Sequence, residues 1–323
     1  MWAVDSNHMT SRTIKGSLLK IRPTMCEEDD HGAASSHKSF GLIAHDIRAE
    51  IVRTLGDARE QRGPPAVLSF AELRSQCAVD VGSSKFNYHL QELLETLIER
   101  RDDGYCLQHA GTLLYRTIRA REYGDHQPLG PVEIGTKCHH CATPIEARYV
   151  DSKYTLQCPG CDSLYDMTLV PPGAVGSTDS EQSSIDRLDK WVRHARRGFA
   201  RGVCPTCANG LSTQLLTPDN TVFPRPDLRS VLVHRSCDHC TDMRYLTVGE
   251  ILSLRSVVTD FFAARSRTIL TTPLWELGFA STDKSTTVQR RNPWKIRSVL
   301  TANGDTLRLT LDKSLTITDS QIK

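Results

Sequence analysis

Four Cys-x-x-Cys units constrain this chain more than any other feature: Cys138-His-His-Cys141, Cys158-Pro-Gly-Cys161, Cys204-Pro-Thr-Cys207 and Cys237-Asp-His-Cys240. Sixteen residues separate the first two units and twenty-nine separate the last two. Each unit is a knuckle that turns two thiolates toward one point, and two knuckles at hairpin tips close a tetrahedron of sulfurs, the spacing of a zinc ribbon. The segment Glu146 to Leu156 has strand-like alternation, and Val231-Leu232-Val233 reads as extended, which supplies the fingers. Two structural Zn2+ ions are therefore expected. Cys138, Cys141, Cys158 and Cys161 would hold one, and Cys204, Cys207, Cys237 and Cys240 the other.

Sequential pairing is preferred because an interleaved cross-brace would need the Pro, Gly and Ser-rich linker to fold back. Iron in a rubredoxin-like site suits the same donors. Redox chemistry needs one thiolate of a pair at a helix start after a strand, a context none of the units has. Four thiolates leave no position for water, so the sites are structural and not catalytic. His234 and His239 are excess to complete quartets and fall outside the ligand set. No Gly-rich phosphate loop and no nucleophile elbow occurs, no residue earns a catalytic assignment, and the chain reads as a non-enzyme.

The stretch from Ser69 to Leu107 is the second informative feature. Ser69-Phe70-Ala71-Glu72 is a capping box, so a helix starts there. Phe70, Leu73 and Cys77 give it one apolar face. Ala78 to Gly82 read as a turn, with Ser83 as the N-cap of a second helix. In that helix Phe86, Leu90, Leu93 and Leu97 point inward. Ser84, Tyr88 and Gln91 lie opposite, flanked by Lys85 and Asn87, side chains suited to base edges and phosphates. Leu97 to Arg101 and Tyr105 to Gln108 form two strands around Asp102-Asp103-Gly104, a tight-hairpin signal.

At these residues the chain resembles the ArsR-like winged helix-turn-helix regulators. Phe86-Asn87-Tyr88-His89-Leu90-Gln91-Glu92-Leu93 follows their recognition-helix pattern, and Asp46-Ile47-Arg48 with Ile51 and Leu55 looks like their first helix. Lys85 to Leu93, then Asp103-Gly104-Tyr105 and Ala110-Gly111, is most similar to versions in halophilic archaea that carry paired Cys-x-x-Cys units in a C-terminal zinc-ribbon region. The resemblance implies a two-fold dimer on double-stranded DNA, and flanking helices that dimerise. Metal-sensing members carry a cysteine pair at the helix-turn-helix, whereas Cys77 stands alone.

With 323 residues and 39% hydrophobic content, the chain has room for two or three cores. The expected class is α+β: an N-terminal winged helix-turn-helix domain, two four-cysteine zinc ribbons and a C-terminal helix plus antiparallel β region. Residues 1–38, with Glu27-Glu28-Asp29-Asp30 and an idle Cys26, read as a disordered tail. Residues 39–126 form the DNA-binding domain. Its first helix is Phe40 to Gly56, with Ile43, Ile47, Ile51 and Leu55 inward. Its last is Ala110 to Glu122, with Leu113, Leu114, Thr117 and Ile118 inward and Arg116, Arg119 and Arg121 outward.

Gln127 to Pro131 marks a boundary. Ribbon 1 then occupies residues 131–170, a linker 171–184, a basic helix with ribbon 2 residues 185–245, and the C-terminal region 246–323. The basic helix puts Ile185, Leu188, Val192, Ala195 and Phe199 on one side and Arg187, Lys190, Arg193, Arg196 and Arg197 elsewhere. Those cations are a solvated face or a phosphate contact. Farther on, Val248 to Ala264 reads as a helix. Trp294 to Thr301 and Asp305 to Leu311 make a hairpin through Ala302-Asn303-Gly304, and Leu315 to Thr318 adds an edge strand. Trp275 and Trp294 are core anchors, and Lys295 and Arg297 lie on an exposed strand face.

A net charge of +2 exerts no general pull on nucleic acid, and Ser83 to Tyr123 holds six Lys or Arg against six Asp or Glu. DNA affinity must come from local contacts. No signal peptide and no run of membrane-span length is evident, so a cytoplasmic location is expected. The reading is a sequence-specific transcriptional regulator whose homodimer places Ser83, Ser84, Lys85, Asn87, Tyr88 and Gln91 at bases or phosphates and Arg100 and Arg101 on the backbone. The alternative is an adaptor of the transcription machinery that binds protein with the same folds. Single-stranded RNA binding through the ribbons lacks the interleaved aromatics such sites use. The operator and any effector are not readable.

Overall fold

The computed structural model describes residues 41–102, 104–120, 128–175, 180–218 and 226–323. The expected tail with Cys26, and Asp103, Arg121, Glu122 and Gln127, lie outside the described residues, as does part of the linker. Two compact units divide the chain, one ending at Tyr115 and the other beginning at Arg116.

In the first unit, α1 (Asp46–Arg62), α2 (Phe70–Gln76) and α3 (Ser83–Leu93) precede a hairpin of β2 (Ile98–Arg101) and β3 (Gly104–Leu107), and α4 (His109–Ala120) begins there, its residues from Arg116 onward counting with the second unit. A two-residue strand β1 (Leu68–Ser69) adds to the hairpin, giving the order β1-β3-β2. Helix α1 starts later than its periodicity suggests. His45 caps it, accepting from the Ile47 N–H at 3.2 Å, and the helix runs on to Gly63. The Ser69–Glu72 capping box forms in both directions, at 3.2 and 2.8 Å. Ser83 is not the N-cap of α3. Gly82 is, with its carbonyl accepting from Phe86 and no side-chain cap.

Ile47, Ile51, Leu55, Leu73, Phe86, Leu90, Leu93 and Leu97 are buried in one core. Strand β1 passes close over β3, where a Cβ on Gly104 would meet the Leu68 carbonyl oxygen at 2.6 Å, so only glycine fits the hairpin there. Helix α4 departs from expectation: Leu114 is half-buried, but Leu113, Thr117 and Ile118 are exposed.

The second unit opens with a meander, β4 (Leu129–Lys137), β5 (Pro144–Val150), β6 (Lys153–Gln157) and β7 (Leu164–Leu169), paired in that order. A tight turn at Asp151-Ser152, both with positive φ, joins β5 to β6. Helix α5 (Glu181–Arg201) follows, and then β8 (Ser212–Leu216), β9 (Leu232–Ser236) and β10 (Met243–Leu246) in the sheet order β10-β9-β8. A bridge between Val203 and Gly210 stands where the β4–β5 hairpin stands in the first meander, so the two share a topology. The expected single helix at 248–264 is two, α6 (Val248–Leu252) and α7 (Ser256–Ala263), and the short α8 (Gly278–Ser281) follows. Gly249 allows α6 to touch α8, since a Cβ there would overlap the Phe279 carbonyl.

The chain ends in a meander of β11 (Thr286–Arg291), β12 (Trp294–Ala302), β13 (Asp305–Leu311) and β14 (Ile317–Ile322). Asn303 and Gly304 turn its central hairpin with positive φ, as expected. The sequence reading missed β11, and the edge strand starts two residues later than expected, with Leu315 buried beneath it. No described helix is long and apolar enough to cross a membrane.

Segments that the sequence separates into ribbon, linker, helix and C-terminal region share cores. Ile185, Leu188 and Val192 of α5 pack with Tyr149, Tyr154 and Leu156 of the first meander and with Trp275. Phe199 packs with Val231, Val233, Leu246 and the C-terminal sheet. Each such side chain contributes roughly 1.5–3 kcal/mol by leaving water.

Of the cations of α5, Arg187 and Lys190 are solvent-exposed as expected, whereas Arg193, Arg196 and Arg197 are not a solvated face. Arg196 is buried, with Glu250 of α6 at 2.5 and 2.7 Å, Asp166 of β7 at 3.3 Å, and the Tyr245 carbonyl of β10 accepting at 3.2 Å. Burial works against its charge, but Glu250 and Asp166 outweigh it and keep the guanidinium ionised. Arg193 pairs with Asp189 and donates to the Thr271 carbonyl, and Arg197 donates to that of Leu270. Arg196→Ala strands two buried carboxylates. It should cost about 3–5 kcal/mol in urea unfolding, while Arg196→Met combined with Asp166→Leu and Glu250→Met recovers most of that loss.

Candidate metal centres and nucleic-acid interface

All four knuckles fold alike. In each, the first cysteine N–H donates five residues ahead, to the carbonyls of Thr143, Ser163, Asn209 and Asp242, and its own carbonyl accepts from the residue after the second cysteine. That residue, Ala142, Asp162, Ala208 or Thr241, sits at φ between 57° and 63°. The left-handed turn redirects the chain so that both sulfurs of a knuckle face the same side. Non-glycine residues holding this conformation at every repeat mark it as built into the loop.

The knuckles meet in sequential pairs. Cys138 and Cys161 sulfurs are 3.6 Å apart, Cys141 and Cys158 3.3 Å, Cys204 and Cys240 3.4 Å, and Cys207 and Cys237 3.4 Å. Within each quartet all four sulfurs lie within 4.8 Å of one another. Disulfide sulfurs would be about 2.05 Å apart, and none of the eight cysteines is in a disulfide. A tetrahedron with metal–sulfur bonds of about 2.3 Å has edges of about 3.8 Å. The quartets are therefore of a size and chemistry to hold one tetrahedral cation each.

The sulfurs are surrounded by donors. The Tyr165 hydroxyl donates to Cys138 Sγ at 3.3 Å and the His140 N–H at 3.4 Å. Burial pushes the Cys138 thiol up, yet Tyr165 and the N–H groups of Cys141 and His140 draw it down to about 6. Asn209, by side chain and backbone, brings Cys207 down to about 6 as well. Cys158 is pushed up to about 12 by burial and by Cys141. The Asp242 N–H favours the Cys240 thiolate, but burial and its three neighbouring sulfurs hold it at about 12. Four adjacent thiols do not all ionise unaided; a dication among them removes the repulsion, so metal binding displaces protons.

A regularity missed at the sequence level completes these sites. Two residues after each second cysteine stand Thr143, Ser163, Asn209 and Asp242. The side chains of the first three lie 3.3, 3.0 and 3.5 Å from the sulfurs of Cys141, Cys161 and Cys207. The pattern is legible once the knuckles are stacked one over another. His234 packs on Tyr245 and His239 is exposed, both outside the quartets as expected. His139 leans outward instead, its Nε2 bonded to the Trp275 carbonyl at 2.8 Å.

In the first unit, α3 presents two unlike faces. Phe86, His89, Leu90 and Leu93 are buried, whereas Ser83, Ser84, Lys85, Asn87, Tyr88 and Gln91 are exposed, Tyr88 by 58%. Gln91 Nε2 donates to Asn87 Oδ1 at 3.4 Å, which aligns two amides along the open face. Arg100 and Arg101 are exposed at the hairpin end, where Arg101 pairs with Glu99 at 2.8 Å. His89, absent from the sequence reading as a site residue, is on the buried face of α3 with its ring 3.9 Å from that of His45. Burial, then the charges of His45, Arg48 and Lys85, keep it neutral by lowering its pKa. Cys77 donates to Thr54 at 3.3 Å, and burial raises its pKa, so it is an inert thiol.

The family described as Domain of unknown function (DUF7351) matches residues 135–317, more than half of the chain. The chain belongs to this family. The DUF7351 region contains both sulfur quartets whole and the first three strands of the C-terminal meander. A second family, described as Domain of unknown function (DUF7347), matches residues 36–118, the stretch that carries α1 to α3 and the hairpin. No curated protein and no solved structure matches the chain.

Substituting Cys158→Ser removes one ligand of the first DUF7351 quartet and leaves the second intact. Elemental analysis of the purified chain should fall from two metal equivalents to one; retention of two would break the assignment of Cys158.

Proposed function

We propose that the chain is a sequence-specific regulator that binds double-stranded DNA through an ArsR-like winged helix-turn-helix, with two structural Zn2+ ions in its four-cysteine ribbons. One observation carries the reading: every residue chosen from the sequence as a DNA contact is solvent-exposed, on a helix whose opposite face is fully buried or on the hairpin beside it. Helix α3 is the recognition helix and the β2–β3 hairpin the wing. Asn87 and Gln91 are amides suited to adenine edges, Lys85 to guanine or phosphate, and Tyr88 to stacking or phosphate contact. Arg100 and Arg101 lie on the flanking backbone. The exposed Leu113 and Ile118 of α4 supply apolar surface for a two-fold dimer, which spaces two recognition helices one DNA turn apart. The ions are structural because all four positions of each tetrahedron are taken by sulfur.

Selection of bound fragments from genomic DNA, followed by titration of the best fragment, tests this. Asn87→Ala combined with Tyr88→Ala should weaken binding at least about 30-fold, since each good contact discriminates by roughly 1–3 kcal/mol. Zinc content and unfolding midpoint should hold, because both side chains are exposed. Affinity should fall linearly with salt on a logarithmic scale, and Arg100→Ala should reduce that slope by about 1. Salt-insensitive binding, or no fragment selected, would favour the adaptor that uses these folds on protein.

A further inference from the structure

The second unit encloses a cavity of about 500 Å³ that neither the metal centres nor the DNA-reading face uses. Its walls come from β6 and β7, from β9 and β10, and from the segment running from Leu274 to Ser281. The volume falls in the range of roughly 300–1,000 Å³ typical of small-molecule sites. Most of the lining is apolar, including Leu156, Leu232, Leu246 and Leu274.

The charges on the walls do not balance. Asp166 and Glu250 line the cavity but are both committed to Arg196, at 3.3 and 2.5 Å. Arg229 faces Asp283 at 3.8 Å and donates to the carbonyls of Leu164 and Ser281. Arg244 is different. Among the described residues no carboxylate lies within ion-pair distance of it, its Nη1 makes a long 3.4 Å bond to the Met243 carbonyl, and its Nε is buried without a partner. Burial, then the neighbouring Arg196, depress its pKa against the pull of Asp242, Asp166 and Glu250, and its guanidinium carbon lies 5.7 Å from the centroid of the Phe199 ring. Trp275, also on the wall, holds a buried indole N–H with no acceptor. Met167 and Met243 line the same cavity with 52% and 47% of their surface exposed, which makes them adaptable apolar lips at its mouth.

We propose that this cavity binds a small organic monocarboxylate, its anionic group set against Arg244 and its apolar body held between the leucines and the two methionines. A monoanion fits because one guanidinium on the wall, that of Arg244, is unmatched, while Lys153, the other wall cation outside the ion pairs, is solvent-exposed; a polyphosphate would need several buried cations. The proposal goes beyond the DNA-binding reading and does not depend on it, and its test involves no DNA.

Isothermal titration of the whole 323-residue, metal-loaded chain with octanoate, phenylacetate and 2-naphthoate, and with the neutral amide of each, reads it directly. At least one carboxylate should bind saturably, one per chain, with its amide at least about tenfold weaker. Arg244→Gln should weaken that carboxylate by at least about tenfold while leaving the amide and the two metal equivalents unchanged. Should Arg244→Gln fail to fold, Met167→Glu at the exposed mouth provides the second arm, and it should weaken the carboxylate more than the amide. Absence of binding by all three acids, equal affinity for acid and amide, or indifference to the folded variants would overturn the proposal.

Discussion

One buried guanidinium cross-links four elements of the second unit. Arg196 reaches from α5 to a carboxylate on β7, a second on α6 and a backbone carbonyl on β10. Removing a charge from water is expensive, and the arrangement survives because two anions and a carbonyl surround it. Its specificity follows from the same cost: each of these elements must arrive in register or a charge is left stranded. Both ribbons and α6 are thereby tied to one helix.

The sulfur quartets act at a shorter range. A ribbon of a few short strands has little apolar surface of its own, and a metal that joins its hairpin tips compensates for that shortage. Here the ribbons also borrow core from elsewhere. Tyr154 and Leu156 are covered by Ile185, Leu188 and Trp275, and Val231 and Val233 by Phe199 and the C-terminal strands. Trp275 touches several of these functions at once: it fills the first ribbon's core, its carbonyl is bonded to His139 of the first knuckle, and it lines the cavity.

In the first unit the division of labour lies within one helix. Phe86, Leu90 and Leu93 bury one side of α3, so the opposite side is left to polar residues that make few contacts with their own chain. His89 is an exception on the buried side, a neutral imidazole held against His45. Its place between hydrophobic neighbours and a helix cap is why a pattern search for apolar residues passed over it.

Local chemistry was legible in the residues alone. Cys-x-x-Cys spacing identified both quartets, since a knuckle is closed by hydrogen bonds within six residues. Helical periodicity found the buried stripes of α3 and α5, and Asn303-Gly304 placed its hairpin. Long-range pairings were not legible. Arg193, Arg196 and Arg197 looked like a solvated face because periodicity reports which side of a helix is polar, without saying which distant carboxylate or carbonyl meets it. Leu113 and Ile118 looked buried for the converse reason: an apolar residue at the right spacing carries no record of whether anything covers it. The cavity, the unmatched Arg244 and the shared cores arise only where segments far apart in the chain come together, and tertiary packing alone decides that.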